Sequence, residues 1–336
     1  MPIRTAIAII LIITEACACS PERKSEASDP AAGSAQVHQT ELQPQTENVS
    51  LNQNPTTPAP APAAAVAAPK VSGEKAMQYT REVVAFGPRP IGSAGHKKLE
   101  AYLRAHLKND ELEEDTFTAQ TPAGSFKMTN FIAKFPGTRD GIVVIGGHYD
   151  TNYPLKNYVG ANDGGSSTGL PLALADVLRE HKEGRPTVWL VWFDGEEAVQ
   201  QWSATDSTYG SRHLAAKWQA DGTLPKIKAF LLLDMIGDAD LDVLRDTNST
   251  SWLEDMVGQA AVKQGTSSHF FATENGIEDD HLPFVQLGVP SADIIDMDYG
   301  PNDSWHHTSK DTIDKVSGKS MEIVGNVVLQ VVWQIT

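Results

Sequence analysis

The run Asp194-Gly195-Glu196-Glu197 places three carboxylates within four residues, directly after the apolar stretch Thr187 to Phe193. Two adjacent glutamates repel each other unless a cation lies between them or one of them holds a proton. A metal ion beside a general base meets both conditions. A solvated acidic turn also accommodates the charge, but it gives no reason for the run to cap the most apolar strand-like segment of the chain. Further donors follow the same pattern. His148-Tyr149-Asp150 ends the apolar run Ile142 to Ile145, Asp163 lies in the glycine-rich stretch Val159 to Gly169, and Asp234 ends the apolar run Ile227 to Leu233. Near the C-terminus stands Trp305-His306-His307-Thr308. Imidazole and carboxylate donors suit zinc with a position left open for a substrate. The metal would act as a Lewis acid on a carbonyl, one of the paired glutamates binding it and the other serving as general base. Asp150 is a candidate to orient His148, although an HxD triplet alone is a weak signal.

These residues need elements to hold them. Thr187–Phe193, Ile227–Leu233, Ile142–Ile145 and Ala292–Ile295 read as buried strands, and Glu114–Ala119 and Asn130–Phe135 as further strands. Ser72 caps a helix towards Ala85 with Met77, Thr80, Val83 and Val84 on its apolar side; a second helix carries Leu99, Leu103 and Leu107 on one face. Helices are also predicted over Leu170–Leu178, Arg212–Gln219, Trp252–Gln264 and Lys319–Ile335, the last directing Met321, Val324, Val328 and Val331/Val332 to the core. Helices alternating with apolar strands predict an α/β fold with a mostly parallel, covered sheet. Ligands of such sheets bind outside the carboxyl ends of the strands, where His148, Asp163, Glu196/Glu197 and Asp234 fall. The glycine cluster around Asp163 is not a phosphate loop, because it lacks GxxxxGK[ST] and a basic partner.

The 336 residues carry 27 Lys+Arg against 43 Asp+Glu, a formal net charge of −16. With no basic stripe to meet a phosphate backbone, a nucleic-acid partner is not expected. Residues 1–19 read as a signal peptide: Arg4, then the apolar run Ala6 to Ile13, too short to span a membrane. Ala16-Cys17-Ala18-Cys19-Ser20 is similar to a bacterial lipoprotein cleavage box, with Cys19 as the lipidated residue. An ordinary secretory signal is the alternative. Cys17 and Cys19 are the two cysteines of the chain, so the remainder has neither disulfide nor thiolate metal site. Residues 20–71, polar to about Asn54 and then rich in Pro and Ala, read as a disordered spacer, and 72–336 as the catalytic domain. An exported, periplasmic or cell-surface protein, held to the membrane through the lipid alone, is the expectation.

Taken in order, His148-Tyr149-Asp150, Gly160-Ala161-Asn162-Asp163-Gly164, Asp194-Gly195-Glu196-Glu197, Asp234-Met235-Ile236-Gly237 and His307-Thr308 resemble the co-catalytic zinc aminopeptidases. Within that superfamily, Phe193 to Ala198, Trp202-Ser203, Asp206-Ser207, Tyr209 to Ala215 and Glu278 to Phe284 followed by Gly288-Val289-Pro290 resemble the animal-type glutaminyl cyclases. The resemblance covers nearly all of residues 72 to 336 and implies a single α/β domain with a central mixed sheet. It implies Asp163, Glu197 and His307 as ligands of one zinc, Glu196 as general base and acid, Asp234 and Asp280 in a carboxylate network with it, and Trp202 as a wall of the substrate pocket. The implied reaction converts the N-terminal glutamine of a peptide to pyroglutamate with loss of ammonia. His306-His307 stands where tryptophan then histidine is expected. Either His307 is the ligand and His306 replaces the wall, or a slip of one residue makes His306 the ligand and Trp305 the wall. His148 and Asp234 occupy the positions that complete a second zinc site in the aminopeptidases, so one metal or two is open on this reading.

Two other functions compete: a zinc aminopeptidase in which Glu196 activates water, and a lipid-anchored receptor that captures peptide N-termini at an inert site. Outside the cluster, His96, His106 and His181 are expected on helix surfaces, His213 in a structural role, and His281 in packing or the carboxylate network. Trp189, Trp192, Trp218, Trp252 and Trp333 are expected in the core.

Overall fold

The computed structural model describes residues 66–336. The expected leader, Cys19 and most of the spacer lie outside the described residues. The last residue assigned to the spacer, Val71, belongs to the fold: it is buried and its backbone N–H donates to Asn326 Oδ1 at 3.0 Å.

Helices α1 (Gly73–Val84) and α2 (Ala94–Leu107) open the fold. Each is started by a serine outside its first turn, Ser72 Oγ accepting from Lys75 N and Ser93 Oγ from His96 N, which satisfies one of the free N–H groups of a helix start. The long hairpin β1 (Glu111–Thr121) and β2 (Gly124–Phe135) follows. Then come β3 (Arg139–His148), α3 (Gly165–Glu180), β4 (Pro186–Phe193), α4 (Tyr209–Ala220), β5 (Ile227–Asp234), β6 (Val243–Asp246), α5 (Ser251–Gln264), β7 (Phe270–Asn275), α6 (Leu282–Gln286), β8 (Ser291–Ile295) and α7 (Gly318–Gln334). The main sheet runs β1-β2-β4-β3-β5-β8, and β6 pairs with β7 in a small second sheet.

The sheet is mixed. β1, β2 and β4 pair antiparallel, while β4, β3, β5 and β8 pair parallel. Side chains alternate across it. Val143, Ile145, Leu190, Trp192, Leu231 and Leu233 join the core built with α1, α3, α5 and α7. Val144, Val191, Phe193, Phe230 and Leu232 face the other way, against Leu214, Trp218 and Phe284 of α4 and α6. Helices thus cover both faces, and the apolar runs are continuous because neither face meets water.

Helix α3 begins five residues before the predicted Leu170. Gly165, Ser166, Ser167 and Thr168 are poor helix formers, but all are buried here. Small residues are required because α3 lies hard against α1: a Cβ on Gly169 would stand 2.8 Å from Thr80 N and 2.2 Å from its hydroxyl. Tertiary packing therefore overrides local propensity. Helix α4 likewise starts at Tyr209 rather than Arg212, and β6, β7 and α6 add to the predicted elements. They are short and carry weak periodicity. Among the predicted core tryptophans, Trp192, Trp218 and Trp333 are buried, whereas Trp252 is 47% exposed on α5. Among the histidines expected at the surface, His96 is buried instead.

The α1–α3 contact gives a stability test. Gly169→Ala overpacks a backbone-to-backbone approach and should cost roughly 1–3 kcal/mol, read as a lowered urea midpoint at unchanged slope.

Candidate active site

Because β3, β4, β5 and β8 are parallel, their carboxyl ends share one rim. His148 pairs with Phe193, the residue before Asp194. Gly146 pairs with Leu232, so two residues on, His148 lies beside Asp234. The chain passes from β3 to β4 on one side and then to β5 on the other, so the order reverses at β3, which opens a crevice at its end. A cavity of about 390 Å³ occupies that crevice, lined by Asp163, Glu196, Glu197, Asp234, Asp279, His306, His307 and Trp202, with Met235, Ile277, Ile295 and Met297 as apolar wall.

Loops set the remaining side chains. Gly195 has φ 68°, a left-handed conformation natural to glycine, and it turns the chain so that Glu196 and Glu197 both enter the rim. Asp150 fastens this turn by accepting Glu196 N at 3.1 Å and Glu197 N at 3.4 Å. The Asp163 loop is held from two sides. The fully buried guanidinium of Arg89 donates to the carbonyls of Val159 and Gly160 at 2.6 and 2.9 Å. Asp311 accepts the backbone N–H of Asn162 at 2.8 Å and of Asp163 at 3.2 Å, and also the hydroxyl of Tyr299 at 2.7 Å. The carboxylate that fixes the Asp163 loop is thus tied to the segment carrying His307. Met235 (φ 48°) and His307 (φ 49°) are left-handed without being glycine, strain of the kind that packed functional sites sustain.

His307 Nε2 stands 3.3 Å from both Asp163 Oδ2 and Glu197 Oε2. His306 also offers a nitrogen within 4.8 Å of donors on Asp163 and His307, but its Nδ1 faces Asp303 at 3.5 Å. The histidine between the two carboxylates is His307. Glu197 Oε2 accepts from Asn152 at 2.8 Å, while its buried Oε1 has no hydrogen-bond partner. Two buried carboxylates and one imidazole converging, with an orphaned oxygen among them, make a donor set that fits a divalent cation. A second group lies next to it: His148 Nε2 is 3.1 Å from both Asp163 Oδ1 and Asp234 Oδ1. Asp234 Oδ1 also accepts from Ser167 Oγ at 2.9 Å and Met235 N at 2.8 Å.

Charge follows from burial. Burial pushes Glu196 well above the ordinary carboxylate range, and nearby Asp279 and Glu197 add to it against the pull of His148. Glu197 is raised by burial and by Asp163. Burial also opposes ionisation of Asp163, but hydrogen bonds from His148 and His307 outweigh it and hold this carboxylate well below its usual range.

Two placements differ from expectation. Asp280 does not line the cavity; its Oδ1 accepts from Ser211 Oγ at 2.5 Å. The neighbouring Asp279 lines it, raised well above the usual range by burial and by Asp234 and Asp280. Side chains one residue apart diverge at this turn, and sequence offered no signal to choose between two aspartates. Trp305 lies outside the cavity, packed edge-on against Tyr299 at 5.4 Å and lining a separate cleft. His306 lines the cavity in its place, together with Trp202, which is 37% exposed. His281 is wholly buried between Asp246 (2.9 Å) and Asp293 (3.7 Å), and His213 stacks on Phe117 at 4.1 Å.

A three-layer α/β sheet with a carboxylate–imidazole cluster at its carboxyl rim is the architecture of the glutaminyl cyclases and zinc aminopeptidases. Residues 130–332 match the model of peptidase family M28. The glutaminyl-peptide cyclotransferase of Drosophila melanogaster is 31% identical over 252 residues, 67% of this chain and 70% of the fly protein. An Acidobacteriales bacterium glutaminyl cyclase crystal structure superposes with a TM-score of 0.80 at 50% identity, covering 82% of this chain and 98% of that one. The Porphyromonas gingivalis glutaminyl cyclase gives 0.72 at 28% identity, covering 79% and 99%. The chain belongs to peptidase family M28, and within it to the group whose named relatives are glutaminyl cyclases.

The cluster makes a pH prediction for metal-free protein. Burial works against a charge on His307, but Asp163 and Glu197 prevail and raise its pKa from 6.5 to about 11. A pKa raised on folding contributes stability that is complete below the unfolded value and is lost as pH climbs to the folded one. In urea titrations, the stability difference between wild type and His307→Phe should therefore shrink as pH rises from 6.5 towards 11. A difference that stays constant over that window refutes the assignment.

Proposed function

We propose that the chain is a zinc-dependent glutaminyl-peptide cyclotransferase, closing the N-terminal glutamine of peptides to pyroglutamate with release of ammonia. The observation that carries this reading is Glu196: a buried carboxyl of raised proton affinity, facing the cavity beside a separate three-donor cluster. Asp163, Glu197 and His307 would hold one zinc ion. Bound there, zinc supplies Lewis-acid polarisation of the substrate's side-chain amide carbonyl.

The residues of the chain do the rest. The cavity accepts one side chain, with Trp202 and His306 at its mouth and Met297, Ile277 and Ile295 along it. This apolar wall folds the glutamine so that its α-amine meets its own amide carbon, and it limits competing water. As the amine nitrogen bonds to that carbon, Glu196 takes the proton the nitrogen sheds. It then returns this proton to the amide nitrogen as the carbon–nitrogen bond breaks, and ammonia leaves. One carboxyl serves both steps because its raised pKa suits accepting and donating near neutral pH. Asp279, Glu197 and Asp280 crowd negative charge around it and sustain that shift.

An aminopeptidase would use the same Glu196 to activate water. The names of the relatives favour cyclisation. Purified protein should release ammonia from a Gln-peptide with loss of one ammonia mass, in a chelator-sensitive manner, and should not release leucine from a leucine anilide. Leucine release without cyclisation would establish the peptidase instead. Glu196→Gln should lower turnover by ~10²-fold or more with zinc content unchanged, and Asp279→Asn should lower it more than Asp280→Asn. Full activity in Glu196→Gln would remove the general base from the mechanism.

The same reading includes export with a lipid on Cys19, supported by the leader pattern and the Pro/Ala-rich spacer. Wild-type protein expressed with its leader should partition into the detergent phase, and Cys19→Ser should shift to the aqueous phase; identical partitioning would exclude the anchor.

A further inference from the structure

We propose that His96, on α2, is a positioning residue for the turn that carries Glu196 and Glu197. This rests on the cyclase reading of the site. His96 is 1% exposed, and its Nε2 lies 2.7 Å from Asp194 Oδ1, two residues before Glu196.

Asp194 is wholly buried and has two kinds of support on its carboxylate. Oδ2 accepts the backbone N–H of Thr129 at 2.8 Å on β2, and Oδ1 meets His96. A buried carboxylate left half-satisfied is costly and turns towards another donor. Asp194 begins a short rigid segment. Its own N–H donates to Asn130 Oδ1, Gly195 O accepts from Tyr209 N at 2.8 Å, and Glu196 O accepts from Thr208 N at 2.7 Å. No slack separates the Asp194 carboxylate from the Glu196 side chain, so a rotation at one is passed to the other.

The imidazole makes a second contact with the rim. It stacks on Tyr149 at 5.2 Å and an interplanar angle of 22°. Tyr149 lies between His148 and Asp150, and Asp150 holds the N–H groups of Glu196 and Glu197. One side chain from α2 thereby braces the end of β3 and the end of β4 together. Asp150 also acts on the ring through its charge, and Glu100, one turn on, stands 3.6 Å from Nδ1. Asp194 and Glu100 on opposite nitrogens fix the ring orientation, and with burial opposed by these carboxylates its proton affinity is raised. None of these contacts reaches the cavity, so His96 acts through the turn and not on the substrate.

The test separates positioning from bulk stability. His96→Leu keeps the volume and removes the donor; His96→Gln restores an N–H. With the turn loosened, kcat should fall roughly 10–100-fold while KM for a Gln-dipeptide stays within about 2-fold, since small displacements of a catalytic group cost rate more than binding. His96→Gln should recover most of the loss, and a crystal structure of His96→Leu should show the Glu196 carboxylate moved. Wild-type kcat in folded His96→Leu overturns the proposal, as does an unmoved Glu196. If His96→Leu does not fold, His96→Gln decides: kcat near wild type supports the role, and a loss that merely follows the folded fraction overturns it. Failure of the wild type itself to cyclise Gln-peptides would instead count against the cyclase reading.

Discussion

Mutual repulsion among buried carboxylates is the constraint around which this rim is built. Asp163, Glu196, Glu197, Asp234 and Asp279 line one cavity and all are at least nine-tenths buried. Like charges so placed cannot all ionise. The fold divides them by environment. Asp163 is kept ionised by two imidazoles, whereas Glu196 and Asp279, with few hydrogen bonds to offset burial, are driven towards the protonated form. One side of the cavity thus keeps its carboxylate ionised and the other favours the proton, although both are made of the same functional group.

Holding such a set requires charged side chains that grip the backbone around it and not the carboxylates themselves. Arg89 brings a buried cation close to the Asp163 loop, yet its hydrogen bonds go to carbonyls of Gly87, Val159 and Gly160 and not to the carboxylates. It organises backbone while lending its field to Asp163, Asp150 and Asp311. Asp311 works in the reverse sense, an anion used to fix the N–H groups of Asn162 and Asp163. These supporting contacts fix the positions of the donors that line the cavity.

The sheet supplies the frame. Parallel pairing in register brings His148, Phe193 and Asp234 to one level, with Asp194 to Glu197 just beyond it, and the reversal of strand order at β3 opens the space above them. Close approach of α3 to α1 through Gly169 brings the start of α3, and with it the Asp163 loop, onto the same rim. A sheet of antiparallel neighbours throughout would have sent alternate strand ends to opposite sides and scattered the donors.

Much of this was legible in the amino-acid order. Continuous apolar runs identify buried parallel strands because both faces are covered. Carboxylates and a histidine directly after those runs mark the ligand-bearing rim, and the Trp202 to Ala215 stretch carries the family resemblance. Three things were decided only by tertiary structure. Asp279 and not Asp280 faces the cavity, because the side-chain direction in a turn depends on its backbone angles and on Ser211 waiting on the other side. His307, and not His306, stands between Asp163 and Glu197, while Trp305 packs on Tyr299, a choice made by the left-handed backbone at His307. His96 is a brace and not a surface residue, because its partner Asp194 lies 98 residues away. Local pattern reports which side chains meet water on average; which single donor meets which acceptor is fixed only when distant segments pack.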